Sequence, residues 1–383
     1  MRKYYYQYLN KVIKAIKPSL ILKNEIGDIK DVQADLTKLA KKAKGEDRLM
    51  ITYYNRLWEP VLKFASWMGW RKQVEEQNWL DNCDIVNLLS LSGWEMISQQ
   101  KRLLIPVDIP LVSNLINSVV APLPLINNLC LMTWVVARPK PKIRKEYSVS
   151  IIVAARNEEK NIPRIVQSIP KFGKWQEVVF VEGHSKDNTW EEIQKQINKK
   201  TRIKVRAHRQ KGIGKGDAVR LGFEKAKGEV LIILDADLTV NPKDLPKFYE
   251  VIASGMGEFV NGTRMVYPME KQAMQTLNKI GNKTFGWLFT WILGQRFTDT
   301  LCGTKAILKK DYQKIKGGRR FFGDFDPFGD FDLIFGTIKQ NLKVVEVPVR
   351  YKERQYGTTN ISRFKHGWLL LRMTWFAFEK FML

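Results

Sequence analysis

The chain of 383 residues contains only three cysteines, Cys83, Cys130 and Cys302, far apart and without a Cys-x-x-Cys pair. That spacing excludes a disulfide framework and a cysteine zinc site, and it fits a reducing compartment. Histidine is equally scarce: His184, His208 and His366 never fall at His-x-x-x-His spacing, which argues against a histidine metalloenzyme. No apolar stretch follows Met1-Arg2-Lys3, so a signal peptide is not expected and the catalytic machinery is expected in the cytosol. A clean membrane-length run is missing too. Residues 109–137 are uncharged, but Pro110, Pro122 and Pro124 interrupt them, together with Asn114, Asn117, Asn127 and Asn128. They read as loop and strand.

Acidic residues are outnumbered, 39 Asp and Glu against 64 Lys and Arg, for a net charge of +25. An anionic partner is implied: nucleic acid, a membrane surface or a phosphorylated substrate. Nucleic acid is disfavoured, because the Trp and Phe residues form apolar blocks and are not interleaved with basic ones.

A seam at 139–147, Pro139-Lys140-Pro141-Lys142-Ile143-Arg144-Lys145 and onward, separates two differently patterned regions. Downstream, apolar strands alternate with segments of helical spacing: strand 148–154, helix 162–169, strand 177–181, helix 188–197, strand 202–207, helix 217–226, strand 230–234. Such alternation predicts an α/β fold, a mainly parallel sheet with helices on both faces. Residues 1–138 read as a smaller, incomplete α/β unit, with a strand over 49–54, a helix over 58–70 and a closing antiparallel pair near 94–104 and 130–137. It has no Gly-rich strand-to-helix turn for a cofactor.

Four strand ends carry polar clusters. The uncharged run from Val230 stops at Asp235-Ala236-Asp237, two carboxylates one residue apart at the edge where parallel sheets bind ligands. Their hard oxygens suit Mg²⁺ or Mn²⁺, although Asp237 also fits the start of the next helix. Ala154-Ala155-Arg156-Asn157-Glu158 and Glu182-Gly183-His184-Ser185 suit a base or ribose, or else a turn with an N-cap. Lys211-Gly212-Ile213-Gly214-Lys215-Gly216-Asp217, ahead of a helix, suits a diphosphate. Gly216 stands where a Walker A loop needs Ser or Thr, and Asp217 where a G-x-G-x-x-G turn needs its last glycine.

These ordered motifs resemble the family 2 inverting glycosyltransferases of the GT-A fold. The later segments Asn261-Gly262-Thr263-Arg264, Asp299-Thr300-Leu301-Cys302-Gly303, and Val345 through Arg350 and Arg354 to Tyr356-Gly357-Thr358-Thr359 are similar to dolichyl- and polyprenyl-phosphate sugar synthases. The resemblance spans about 147–365 and implies a GDP- or UDP-linked sugar as co-substrate, a polyprenyl or dolichyl phosphate as acceptor, and a peripheral place on the cytosolic membrane face. It assigns the ion to Asp235 and Asp237 with Thr239 beside them. Nucleotide contacts fall to Ala154, Arg156, Glu158, Glu182, Ser185, Lys215, Asp217, Asp235 and Ala236. Arg264, Arg350 and Arg354 would clamp phosphate oxygens, although a lone arginine is more often a surface charge. Asp330 or Asp332 would stand near the acceptor. Two departures are plain: Val181-Glu182 replaces the usual pair of aspartates, and Thr239 replaces a glutamine. An acceptor on a soluble or cell-surface glycan, an inactive GT-A scaffold and a nucleotidyltransferase are the alternatives.

Aromatic segments 285–293 and 368–378, too short to span, suit interfacial helices or buried packing. The expected organisation is therefore 1–138, linker 139–147, GT-A domain 148–360 and a membrane-associated tail 361–383. Residues 20–138 resemble the C-terminal half of a class I S-adenosylmethionine methyltransferase on Ile51-Thr52-Tyr53-Tyr54-Asn55-Arg56-Leu57-Trp58 and Glu76-Gln77-Asn78-Trp79-Leu80. The cofactor turn of that family is missing, so no S-adenosylmethionine binding is expected.

Overall fold

The structure, a computed structural model, describes residues 2–23, 25–70, 78–199, 201–268, 276–318, 329, 331–354, 356 and 363–382. Asp330, Gly357-Thr358-Thr359 and Glu76-Gln77 lie outside the described residues. The chain forms two compact units, one of Met1–Lys142 with Phe378–Leu383, the other of Ile143–Ala377. The division falls inside the seam at 139–147.

Unit 1 holds a four-stranded sheet of β1 (Leu20–Lys23), β2 (Leu49–Tyr54), β3 (Trp94–Arg102) and β4 (Met132–Pro139), in the order β1-β2-β4-β3. Only β1 and β2 run parallel; β4 is antiparallel to both β2 and β3, as its patterning predicts. Side chains of β2 alternate between two cores: Leu49 and Ile51 pack with Leu36 and Leu89, whereas Met50 packs with Leu9 and Leu62. Trp94 is fully buried, and its indole N–H donates to the Leu36 carbonyl at 2.9 Å.

Unit 2 holds seven strands: β5 (Val149–Ala155), β6 (Gln176–Glu182), β7 (Lys204–Arg209), β8 (Val230–Ile233), β9 (Phe259–Thr263), β10 (Lys305–Leu308) and β11 (Val344–Pro348). Their order is β11-β9-β10-β8-β5-β6-β7. All pairs are parallel except those of β10, which runs antiparallel to β8 and β9. Both faces are covered. Ile151 and Val153 share a core with Ile162 and Ile165 of the helix Ile162–Ser168. Ile152, pointing the other way, meets Gly222 of the helix Lys215–Lys225 so closely that a Cβ there would collide with it. Continuous apolar strands in the sequence thus reflect burial on two sides.

The aromatic segments of unit 2 mix both expected outcomes. In the helix Thr276–Leu293, Phe289, Ile292 and Leu293 are buried, while Trp287 is exposed. In the helix Arg363–Phe381, Leu370, Met373 and Ala377 are buried, and Trp368, Leu371 and Trp375 face outward. Each helix has a packed face and an exposed aromatic one. Among the described residues no helix is long and apolar enough to cross a membrane.

Candidate active site

The parallel register delivers the polar strand ends to one edge. Ala155 pairs with Glu182, and Glu182 with Arg209. Beyond Ile233 the chain stays beside β5 through Leu234, whose N–H donates to the Ile152 carbonyl at 3.0 Å, and then releases Asp235.

The loops after β5 and β6 are stitched together. Asn157, at φ 57°, accepts from the Lys186 N–H at 2.7 Å and donates its own N–H to the Ser185 hydroxyl at 3.1 Å. Glu182 is buried and accepts the Ser185 N–H at 2.6 Å. Glu158 is buried as well, accepting from the Asn161 amide at 2.6 Å, and burial pushes its carboxyl above the usual range, with Asn161 and Arg354 pulling the other way. Ala154 is half-buried and Arg156 is exposed.

The basic glycine loop ends at Gly214, at φ 94°, which turns the chain into the helix Lys215–Lys225. Lys215 then reaches back to the first aspartate, its Nζ 2.6 Å from Asp235 Oδ1. Burial alone would raise the Asp235 carboxyl, but Lys215, with Lys305 and Arg264 behind it, holds it below the ordinary value. The carboxylate of Asp217 lies against Gly212, where a Cβ would clash with it.

Asp237 is held from two sides. One oxygen accepts both the N–H and the hydroxyl of Thr239, at 3.1 and 2.7 Å, and the other accepts from Arg354 Nη2 at 2.7 Å. Arg354 also approaches Glu158 at 3.9 Å. The segment carrying Arg354 is positioned by the Lys352 N–H on the Thr239 carbonyl at 2.9 Å and by a bridge between Val240 and Tyr351.

Arg264, Arg350 and Asp332 are each engaged with another partner. Arg264 gives its Nε and Nη2 to Asp299, at 2.7 and 2.8 Å, and its guanidinium lies 4.9 Å from the Tyr351 ring. The Arg264 charge overcomes burial and holds Asp299 down at about 2, and Asn282 donates to the same carboxylate. Arg350 is exposed and lies over the Tyr267 ring at 5.1 Å. Asp332 faces Arg220 at 3.6 Å. Ala236 is buried.

Sequence reasoning missed Lys305, Gly303 and the Asp299–Asn282 contact. Lys305 reads as part of a lysine-rich surface run, yet it is 1% exposed and its ammonium donates to the Cys302 carbonyl. Lys305 opens the strand Lys305–Leu308, which lies inside the sheet and buries its first three residues in succession, so no alternation in the sequence marks it. At Gly303 a Cβ would collide with the Asp235 carboxylate and the Lys215 ammonium. Glycine lets the acid and the ammonium pack directly against the backbone.

Among the described residues no three or more His, Cys, Asp or Glu side chains group into a cage for a cation. Asp235 and Asp237, one residue apart at the sheet edge, still supply the hard oxygens that Mg²⁺ or Mn²⁺ takes, ions that leave further positions to substrate phosphate and water.

Residues 150–315 match the profile of glycosyl transferase family 2. Dolichol-phosphate mannosyltransferase of Pyrococcus furiosus is 34% identical over 56% of this chain and 59% of its own length. Undecaprenyl-phosphate 4-deoxy-4-formamido-L-arabinose transferase of Pectobacterium carotovorum is 24% identical over 57% of this chain and 64% of its own. The chain therefore spans about three fifths of these two relatives (59% and 64%). Among solved structures, glucosyl-3-phosphoglycerate synthase from Mycobacterium tuberculosis, crystallised with Mn²⁺, UDP-glucose and phosphoglyceric acid, aligns with a TM-score of 0.43 at 16% identity, covering 61% of this chain and 79% of that one. The matched segment, 150–315, lies within unit 2.

Proposed function

We propose that unit 2 transfers a sugar, with inversion, from a nucleotide-sugar donor to a polyprenyl or dolichyl phosphate at a membrane surface. The observation that carries this reading is the convergence of Asp235 and Asp237 with Lys215 and Arg354 at the sheet edge, beside the buried carboxylates Glu158 and Glu182. Acids that recruit a cation, next to bases that pair with phosphate oxygens, suit a sugar diphosphate. The names of the relatives supply the acceptor class.

In this reading Glu158 and Glu182 hold the nucleoside, and Lys215 and Arg354 leave their acid partners to meet phosphate oxygens. Asp235 and Asp237 would hold Mg²⁺ or Mn²⁺, which neutralises diphosphate charge and so improves the leaving group. An acceptor phosphate oxygen attacks the anomeric carbon as its bond to the diphosphate breaks, and the nucleoside diphosphate departs. No base is required, because a phosphate monoester with a second pKa of about 6 is largely dianionic at neutral pH. Asp332 is engaged with Arg220 at 3.6 Å. Unit 1 takes no part in methyl transfer here, and residues 361–383 act as a peripheral membrane contact.

The test is incubation of the full chain with Mn²⁺, membranes and a panel of labelled UDP- and GDP-sugars. Label is expected in the lipid extract with one donor. Label in a soluble or cell-surface glycan, or release of pyrophosphate as a nucleotidyltransferase would give, contradicts the proposal.

A further inference from the structure

The segment of unit 1 between β3 and β4 is built inside out. Its polar side chains Ser113 and Asn117 are 0% and 1% exposed, whereas Leu111 and Leu125 are 87% and 82% exposed. The buried pair ties the loop from within. The Ser113 hydroxyl donates to the Val107 carbonyl at 2.6 Å and accepts the Ile109 N–H at 3.0 Å. Asn117 accepts from the Ile105 N–H and donates to the Ile105 carbonyl, at 3.0 and 2.9 Å. Leu111 and Leu125 both sit at positive φ, 63° and 71°, a region that branched side chains rarely adopt. A water-facing surface would reverse this pattern, with leucine inside and serine outside.

A second apolar group adjoins it. Phe64, Trp67 and Trp70 are 54%, 74% and 74% exposed, with ring centroids 5.7 and 6.4 Å from Phe64 to the two tryptophans. The helix Glu59–Trp67 buries Leu62 and presents Phe64 and Trp67 on other sides, and Trp70 follows just past its end. Two contacts hold its start beside the leucine segment: the Trp58 indole N–H donates to the Leu129 carbonyl at 2.8 Å, and the Asn55 amide to the Asn128 carbonyl at 2.6 Å.

We infer that this face of unit 1 is a docking surface for an anionic lipid bilayer, entered by the leucines and rimmed by Trp67 and Trp70. Charge selects the occupant. From residue 103 to 137 the only charged residue is Asp108, Arg56 stands exposed just ahead of the aromatic helix, Lys63 on that helix pairs with Glu59 at 2.6 Å, and the chain as a whole carries +25. Two copies of so basic a chain repel, whereas anionic headgroups attract it. Tryptophan suits the boundary between apolar and wet surroundings. With no spanning helix among the described residues, the contact is interfacial. This inference does not rest on glycosyl transfer, and its test reads no sugar product.

The full chain is floated with vesicles of phosphatidylcholine, alone or mixed with phosphatidylglycerol, and amide hydrogen exchange is followed with and without vesicles. The expected result is flotation with the mixed vesicles, weakened by salt, with slowed exchange in 57–70 and 107–129. Leu111→Asn with Leu125→Asn, chosen because asparagine tolerates positive φ, is expected to lower the bound fraction about tenfold or more. No flotation, flotation without slowed exchange in those segments, unchanged flotation of the double variant, or the same slowing brought on by raising protein concentration without lipid would each overturn the inference. If the double variant does not fold, exchange in the unsubstituted chain decides.

Discussion

Arg354 and Asp237 lie 117 positions apart in the sequence, yet Nη2 of the arginine stands 2.7 Å from a carboxylate oxygen of the aspartate. Without ligand the pair neutralises itself. With a donor bound, a cation on Asp237 and a phosphate on Arg354 would divide the two partners while keeping both charges satisfied. On this account Arg354→Ala lowers kcat/KM by roughly 10- to 100-fold, and Arg354→Lys restores only part, because an ammonium cannot serve two oxygens as a guanidinium does. Steady-state kinetics on the two variants check this.

Transfer should stop on chelation and return with Mg²⁺ or Mn²⁺. Asp235→Asn and Asp237→Asn are each expected to lower kcat by about 100-fold or more while the fold persists, since both acids lie at the sheet edge and outside the apolar core. Calorimetric titration with nucleoside diphosphate, with and without Mn²⁺, should show affinity that depends on the ion in the parent chain and not in the variants.

The buried pair Arg264–Asp299 makes a prediction about acid stability. Asp299 is held at about 2 in the folded chain against an ordinary 3.8, so it binds its proton more weakly when folded. Its contribution is complete above about 3.8 and is lost as pH falls from there through about 2. Asp299→Asn should cost about 3–5 kcal/mol near neutral pH, because Arg264 is left buried without a counter-charge, and the loss should shrink across that acid window. Urea unfolding at a series of pH values measures both.

Asp332→Asn should keep kcat within about threefold of the parent, since a dianionic acceptor phosphate needs no general base. A pH–rate profile of the variant that loses its basic-side plateau, or a fall of a hundredfold, would assign the proton transfer to Asp332 after all.

Much of unit 2 was legible in the sequence because the strands declare themselves. Val149–Ala155 and Val230–Ile233 are continuous apolar runs, and the polar residues that follow them fall at one sheet edge by the logic of parallel pairing. The Lys215–Asp235 contact was only half visible: both residues stand out, but no spacing rule says which side chain turns back onto which acid. β10 was hidden because four residues inserted antiparallel between β8 and β9 depend on partners distant in sequence. Lys305 was hidden for the same reason, as a lysine looks like surface until its strand is known to be central. In unit 1 the antiparallel pair of β3 and β4 was expected near 94–104 and 130–137. The inside-out turn at Ser113 and Asn117 could not be foreseen, since nothing in the residue types says that the polar side chains face inward and the leucines outward.

The most direct measurement uses the purified chain, Mn²⁺, the donor identified in the labelled panel, and either a polyprenyl phosphate or the matching polyprenol without phosphate. The account predicts a glycosyl phosphate lipid from the phosphate acceptor alone, with the anomeric configuration inverted by NMR. Equal transfer to the unphosphorylated alcohol, retention at the anomeric carbon, or no lipid product from a chain that binds the nucleotide would contradict it.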